Sequence, residues 1–162
     1  MRSSLKIGLL TLVLAFCSCE GTTFQSSVPA YPVNVVIDVE RLFVDFTPEN
    51  FGAYIIANSV GFYKNGQYVT PALATDRWGY GGVLVYVSIN GYDAYDLACP
   101  YCASRGKKSP CEIDGLNAVC PECGEQYDLG SGPAAPRKGL INETLRRLNI
   151  VQYGKKLTIT QR

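Results

Sequence analysis

The chain has 162 residues, with 15 lysine and arginine residues against 14 aspartate and glutamate, seven cysteines and no histidine. This near-neutral balance provides no basic surface for nucleic acid, so no nucleic-acid partner is expected. Without imidazole the usual cysteine–histidine nucleophile cannot form, which disfavours an enzyme and leaves cysteine as the main candidate for binding metal.

The first residues predict a signal for export. Residues 1–18 begin with the charged stretch "MRSSLK" and continue into the apolar run "IGLLTLVLAF", which is too short to span a bilayer. The small residue Ser18 before Cys19 resembles a bacterial lipoprotein signal, in which Cys19 becomes the lipidated first residue. Cys17 is the competing position, and an ordinary secretory signal is the alternative. We expect an exported protein whose lipid anchors it to a bacterial membrane, the outer membrane in preference to the inner.

The segment after the signal predicts a tether followed by one domain. Residues 19–31 are small, polar and proline-bearing, which is typical of a flexible linker. The domain would then occupy residues 32–162. Its first strand is predicted at "VNVVIDV", residues 33–39, because the run is β-branched and partly alternating. A short helix is predicted after Thr47, where Pro48 follows a residue able to cap a helix.

The second half of the chain continues a β pattern. "GGVLVYVSING" and "YDAYDLA" predict two strands joined at Asn90-Gly91, since both residues tolerate positive φ. "NAVC" and "EQYDLG" predict short strands, and "NETLRRL" predicts a helical turn. "LNIVQYGKKLTIT" predicts a closing hairpin around Tyr153-Gly154. Strands at short spacing with turn residues between them predict an all-β sandwich or barrel.

Five cysteines lie within 25 residues and predict a metal site. They include the pairs Cys99-Pro-Tyr-Cys102 and Cys120-Pro-Glu-Cys123. Two residues between paired thiols allow one tight turn to direct both sulfurs at a common point, and two such turns form a four-sulfur cage. We therefore predict that Cys99, Cys102, Cys120 and Cys123 bind zinc or iron in a lobe of about residues 98–128. Disulfides are the alternative in an oxidising compartment.

The fifth cysteine, Cys111, follows "KKSP", which is interpreted as a basic, flexible loop. The sequence leaves it as a free thiol, an alternate ligand or a disulfide partner of Cys102. "GYGG" at residues 79–82 is interpreted as a turn, because no helix pattern follows it. The carboxylates near the cysteines are interpreted as solvated surface groups: Glu112, Asp114, Glu122, Glu125 and Asp128.

The order of these motifs resembles a Rieske domain. Cys99 and Cys120 match the family's two cysteine ligands, Cys123 takes the place of the second histidine, and Tyr101 occupies the place of the first. "GPA" at residues 132–134 matches a segment before the family's closing hairpin, although an extra stretch, "RKGLINE", follows here. The earlier strands are similar to those of Rieske-like lipoproteins from Gram-negative anaerobes.

The resemblance implies an antiparallel β sandwich or barrel with a small lobe like that of rubredoxin or a zinc ribbon. It also implies electron transfer through an iron–sulfur centre, with a redox protein as partner. A histidine-ligated centre is excluded in a chain without histidine. An all-cysteine iron site, mononuclear or [2Fe–2S], a zinc site and the loss of metal remain open. The corresponding functions are electron transfer and a non-enzymatic binding or structural role, in which zinc or disulfides only stabilise the loops.

Overall fold

The computed structural model describes residues 25–162, so the predicted signal peptide with Cys17 and Cys19 lies outside the described residues. The described chain forms thirteen strands and one short helix. The strands are β1 Val33–Asp38, β2 Tyr54–Ala57, β3 Gly61–Lys64, β4 Gln67–Pro71, β5 Arg77–Trp78, β6 Val83–Ser88, β7 Gly91–Asp96, β8 Glu112–Asp114, β9 Asn117–Val119, β10 Gln126–Asp128, β11 Ala135–Lys138, β12 Asn149–Tyr153 and β13 Lys156–Thr160; the helix is α1 Pro100–Ser104.

The strands form three antiparallel sheets. Two of them, ordered β12-β13-β1-β5 and β4-β3-β2-β6-β7, bury the main apolar core between them. The third, β11-β10-β9-β8, belongs to a small lobe inserted between β7 and β12. The prediction of an all-β antiparallel domain with a separate cysteine-bearing lobe is confirmed.

Strand β6 joins the main core to the lobe. All six residues of "VLVYVS" are buried, although β-strand side chains alternate between two faces. Val83, Val85 and Val87 belong to the main core, whereas Leu84 and Tyr86 belong to the core that also contains the cysteines. The strand is apolar throughout because both of its faces are covered.

The hairpin between β6 and β7 is present, but its turn differs from the prediction. Ser88 pairs with Gly91, so Ile89 and Asn90 form the turn, and Gly91 at φ +94° begins the returning strand. A turn in which both residues have positive φ occurs instead at Asn65-Gly66, between β3 and β4. The closing hairpin of β12 and β13 lies where predicted, with Tyr153 paired to Lys156.

Neither predicted helix forms in the described chain. The segment near Thr47 is a series of turns, because Phe43 and Phe46 are both buried in the core and Phe46 N–H bonds to the carbonyl of Phe43. Residues 142–148 run extended because tertiary hydrogen bonds take up their backbone groups: Thr144 N–H donates to Gln25 O. Within residues 25–162, no helix has the length and apolarity needed to cross a membrane.

The described part of the predicted tether lies against the domain. Val28 is buried, and Arg146 donates a hydrogen bond to its carbonyl at 2.9 Å. The Ser27 hydroxyl donates to the Glu143 carboxylate at 2.8 Å. These contacts attach residues 27 and 28 to the segment before β12.

Candidate metal centre

The strand that leads to the first cysteine is held by a buried aspartate. Asp96 accepts backbone N–H groups from Tyr80 at 2.6 Å, Gly81 at 2.8 Å and Ala98 at 3.0 Å. Burial raises the pKa of Asp96, although these three donors oppose the shift. Gly81 lies against Ala98 so closely that a Cβ would stand 2.3 Å from the Ala98 nitrogen. "GYGG" is therefore a close-contact loop that fixes the chain just before Cys99.

Each pair of cysteines lies on a tight turn. In the first, Ala103 N–H bonds to the carbonyl of Cys99 at 2.9 Å, and the Cys102 N–H approaches the Cys99 sulfur. In the second, Gly124 N–H bonds to the carbonyl of Cys120 at 2.9 Å, with Gly124 at φ +76°. The first turn continues into α1, which the sequence analysis missed although Pro100 is well suited to a first helical position.

The two turns bring together the four sulfurs of the predicted ligands. The Sγ atoms of Cys99, Cys102, Cys120 and Cys123 all lie within 4.8 Å of one another. Two close separations run between the turns, 3.6 Å for Cys99–Cys123 and 3.6 Å for Cys102–Cys120. A tetrahedral ion with bonds of about 2.3 Å to sulfur holds its ligands about 3.8 Å apart. The arrangement therefore fits a single metal ion.

The same spacing fits one ion better than a two-iron cluster. A [2Fe–2S] cluster divides its four thiolates between two iron atoms, so the two ligand pairs stand farther apart than around one ion. Here the close contacts link Cys99 to Cys123 and Cys102 to Cys120, and no pair exceeds 4.8 Å. The four sulfurs thus have the compactness of a mononuclear site.

The pKa values of the candidate ligand thiols differ from one another. A hydrogen bond from Cys111, with a further one from Tyr127, lowers the pKa of Cys99 to about 4 in spite of burial. Burial raises the pKa of Cys102 to about 11 and also raises that of Cys123. The pKa of Cys99 therefore lies below those of Cys102 and Cys123, whose thiol forms are favoured chiefly by burial. A bound cation would favour the thiolate forms and displace the remaining protons.

Two hydroxyl groups contact the sulfurs, and neither was predicted from the sequence. Tyr127, fully buried on β10, places its hydroxyl 3.5 Å from Cys99 Sγ. Burial and this contact raise the Tyr127 pKa, so the phenol retains its proton and donates. Ser109, also buried, has its hydroxyl 3.3 Å from Cys120 Sγ. Nothing in the spacing of the cysteines indicated which hydroxyl-bearing residue would reach them.

Cys111 lies beside the site without belonging to the set of four. It is 3% exposed, and its N–H donates to Leu97 O at 2.8 Å. All five cysteines of the described chain are free thiols, so Cys102 and Cys111 are not joined here. The pKa of Cys111 is raised mainly by its hydrogen bond to Cys99 and also by burial. Cys111 therefore keeps its proton beside the four sulfurs.

The carboxylates near the cysteines do not all lie at the surface. Glu112, Asp114 and Glu122 are exposed, as predicted, but Glu125 is 1% exposed and the prediction is wrong there. Its backbone carbonyl accepts the Cys120 N–H at 2.9 Å, so the residue is part of the second cysteine turn. Its side chain accepts the Leu140 N–H, which joins the "RKGLINE" stretch to the lobe.

The remaining carboxylate, Asp128, is also held by partners in the fold. Its side chain is 15% exposed and accepts hydrogen bonds from the Ser131 hydroxyl at 2.9 Å and from Arg137 at 3.1 Å. Hydrogen bonds from Ser131 and Arg137 lower its pKa, although burial opposes them. Asp128 thus stabilises the turn between β10 and β11, and it is not a freely solvated group.

One ligand reaches the surface. Cys123 is partly exposed, whereas the other three ligands are buried. Tyr101, where the resemblance places a histidine, is half-buried, and the Arg105 guanidinium lies 4.5 Å from the centre of its ring. The last residue of α1, Ser104, and the loop that follows it to Lys108 are exposed. Access to the site from solvent is therefore on the side of Cys123.

No family model matches this chain, and no curated protein matches it. Several solved structures are similar to it, among them three ferredoxin-containing ones. A chain of the complex of reduced oxygenase and oxidised ferredoxin in carbazole 1,9a-dioxygenase has 12% identity and a TM-score of 0.45 over 82% of this chain and 94% of its own. The ferredoxin of carbazole 1,9a-dioxygenase from Nocardioides aromaticivorans has 15% identity and a TM-score of 0.44 over 81% and 98%. A ferredoxin of Sphingomonas yanoikuyae has 15% identity and a TM-score of 0.39 over 58% and 84%.

Proposed function

We propose that this protein binds one metal ion through Cys99, Cys102, Cys120 and Cys123 and uses it to transfer single electrons. The observation that carries the proposal is the compact set of four sulfurs within 4.8 Å. Iron in a four-thiolate site supplies one-electron redox chemistry, and four thiolates leave no open position for substrate. An electron carrier fits such a closed site, because electron transfer needs no substrate bound to the metal.

The exposure of the ligands supports this role. Three buried sulfurs keep water from the ion, while the partly exposed Cys123 brings the edge of the site to the surface. A redox protein partner would approach at this edge, beside Tyr101 and the exposed loop that follows α1. The Tyr127 and Ser109 hydroxyls that contact the sulfurs would offset part of the negative charge of the thiolates.

A structural role for the ion is the second candidate, and the construction of the lobe favours it. The strands β8, β9 and β10 have three residues each, and the core of the lobe consists partly of the cysteines themselves. Such a small unit gains much of its stability when a metal joins its loops. Zinc would supply this stability without redox chemistry.

Purification without oxygen, followed by elemental analysis, distinguishes the two functions. The electron-transfer proposal requires one iron per chain, visible absorption and reversible one-electron reduction. One zinc per chain in a colourless protein would instead assign the structural role. Fewer than one metal per two chains, with disulfides among the five cysteines, would contradict both.

We also propose that the protein is an exported lipoprotein, anchored through Cys19 to a bacterial membrane, the outer in preference to the inner. The support is the signal-like sequence of residues 1–18 and the small Ser18 before Cys19. Expression of Cys19→Ser beside Cys17→Ser, with separation of membrane and soluble fractions, tests the anchor. We expect Cys19→Ser to leave the membrane fraction and Cys17→Ser to remain in it. The reverse result would assign lipidation to Cys17. If both variants stayed in the membrane fraction, the proposed anchor would be contradicted.

A further inference from the structure

The segment between the two cysteine turns carries a buried serine whose backbone is fixed. Ser109 is 4% exposed, and its carbonyl accepts the Cys99 N–H at 2.9 Å. Pro110 forms an antiparallel β-bridge with Ala98, and the Cys111 N–H donates a hydrogen bond to Leu97 O at 2.8 Å. These contacts form a short antiparallel ladder beside the first turn, so the loop that the sequence predicted to be flexible is fixed at Ser109.

The side chain of the same residue reaches the second turn. The Ser109 hydroxyl lies 3.3 Å from Cys120 Sγ, and both groups are buried. A thiolate bound to a metal has no proton, so the hydroxyl is the donor and Cys120 the acceptor. Ser109 thus contacts the first turn through its carbonyl and the second through its hydroxyl.

The placement has an electrostatic consequence. Four thiolates around a divalent ion leave an excess of negative charge in a largely buried site, and hydrogen-bond donors to the sulfurs offset it. Tyr127 donates to Cys99 from one side of the site. Ser109 is the corresponding hydroxyl donor for Cys120, which belongs to the other turn.

We propose that Ser109 is a positioning residue of the metal centre: its hydroxyl orients the Cys120 sulfur and takes up part of its negative charge. The inference rests on the proposed four-cysteine site. Without the hydroxyl, the Cys120 sulfur loses a contact that orients it toward the ion, so the ion is bound less tightly. More negative charge also remains on the sulfur, so less energy is needed to move an electron from sulfur to the metal. Changes of partners around metal ligands typically reduce metal affinity about 10-fold to 100-fold.

The experiment compares Ser109→Val with Ser109→Thr in the full chain loaded with cobalt(II). The two replacements have nearly the same shape, and only threonine keeps a hydroxyl. Relative to Ser109→Thr, we expect Ser109→Val to bind cobalt at least about 10-fold more weakly and to move the sulfur-to-cobalt charge-transfer band to longer wavelength. Ser109→Thr should keep the wild-type band.

Two further variants complete the comparison. Ser109→Ala removes the hydroxyl without added bulk, and we expect it to shift the band as Ser109→Val does, even where valine impairs folding. Ser104→Ala is the matched control, because its hydroxyl bonds to the Tyr101 carbonyl at 2.8 Å at the exposed end of α1. It should leave band and affinity unchanged.

The outcomes separate this inference from the proposed function. Equal bands and affinities in Ser109→Ala and wild type, with one cobalt bound, would overturn the role of Ser109 and leave the four-cysteine site intact. The same conclusion follows if Ser109→Thr shifts the band as much as Ser109→Ala. A wild-type chain that binds no cobalt through sulfur would overturn the metal site, and the inference with it.

Discussion

Gly81 and Ala98 are in such close contact that a single methyl group on Gly81 would stand 2.3 Å from the Ala98 nitrogen. Ala98 directly precedes Cys99, and Asp96 bonds to the N–H groups of both Gly81 and Ala98. The glycine loop of residues 79–82 before β6 therefore fixes the position of the backbone at Cys99, although Gly81 and Cys99 are distant in the sequence.

Gly81→Ala is predicted to displace the chain before Cys99. The added methyl meets backbone atoms, which cannot move aside as a flexible side chain can, and overpacking of this kind costs about 1–3 kcal/mol. We expect weaker metal binding together with a lower melting temperature, measured by metal titration and thermal unfolding. Gly130→Ala is the matched control, because its new methyl would have neighbours no closer than 3.4 Å. Equal effects of the two substitutions would contradict the role of the close contact.

Cys120→Ser is predicted to lose the metal and to destabilise the lobe. The substitution removes one of four thiolates from a site whose binding energy also stabilises the fold. Elemental analysis and thermal unfolding measure the two effects. Cys111→Ser is the control, since Cys111 lies outside the set of four, and it should retain one metal per chain. Full metal content in Cys120→Ser, or loss of metal in Cys111→Ser alone, would show that the ligands are assigned incorrectly.

Tyr127→Phe is predicted to lower the reduction potential of an iron-loaded site. The ring stays buried, but the hydroxyl that lies 3.5 Å from Cys99 Sγ is lost. Less compensated charge on the sulfur favours the oxidised metal, so the potential falls; voltammetry of the iron protein measures it. Tyr92→Phe also removes a tyrosine hydrogen bond, from its hydroxyl to the Phe46 carbonyl at 2.8 Å, which is partly buried at the edge of the main core. Tyr92→Phe should reduce stability without changing the reduction potential. A similar change of potential in both variants would refute the role of the Tyr127 hydroxyl as a donor to Cys99 Sγ.

Arg147→Ala is predicted to destabilise the junction of β7 with the segment before β12. Arg147 bonds to the Asp93 carboxylate at 2.6 Å, and Asp93 is 2% exposed. Loss of the partner leaves a buried charge whose remaining partner is the Ser88 hydroxyl. Removal of one member of a fully buried pair costs about 3–5 kcal/mol, and a half-exposed arginine should cost less, about 1–3 kcal/mol.

A double-mutant cycle tests this pair. Asp93→Asn removes the buried charge, so Arg147→Ala should cost less stability in that background than in the wild type, as measured by denaturant unfolding. Metal content should remain at the wild-type level in all three variants, since the pair lies outside the cysteine lobe. Strictly additive costs would mean that the two side chains do not stabilise the fold through each other.

The local sequence was sufficient for the features that depend on neighbouring residues. The strand of residues 33–38, the closing hairpin and the two cysteine turns follow from side-chain alternation, turn residues and the two-residue spacing of thiols. The same local rules were wrong at Thr47 and at residues 142–148. There Phe43 and Phe46 are drawn into the core, and the backbone of 142–148 bonds to distant segments such as Gln25.

Local patterns in the chain were enough to predict its β class and to single out four cysteines, paired in two turns, as candidate metal ligands. The three-dimensional fold was needed to show that the two turns face each other closely enough for one ion, that Cys111 lies beside them, and that Ser109 and Tyr127 reach the sulfurs. Pairing inside a turn depends on spacing along the chain. Contact between turns depends on how β6, β7 and the lobe pack, and spacing along the chain does not encode it.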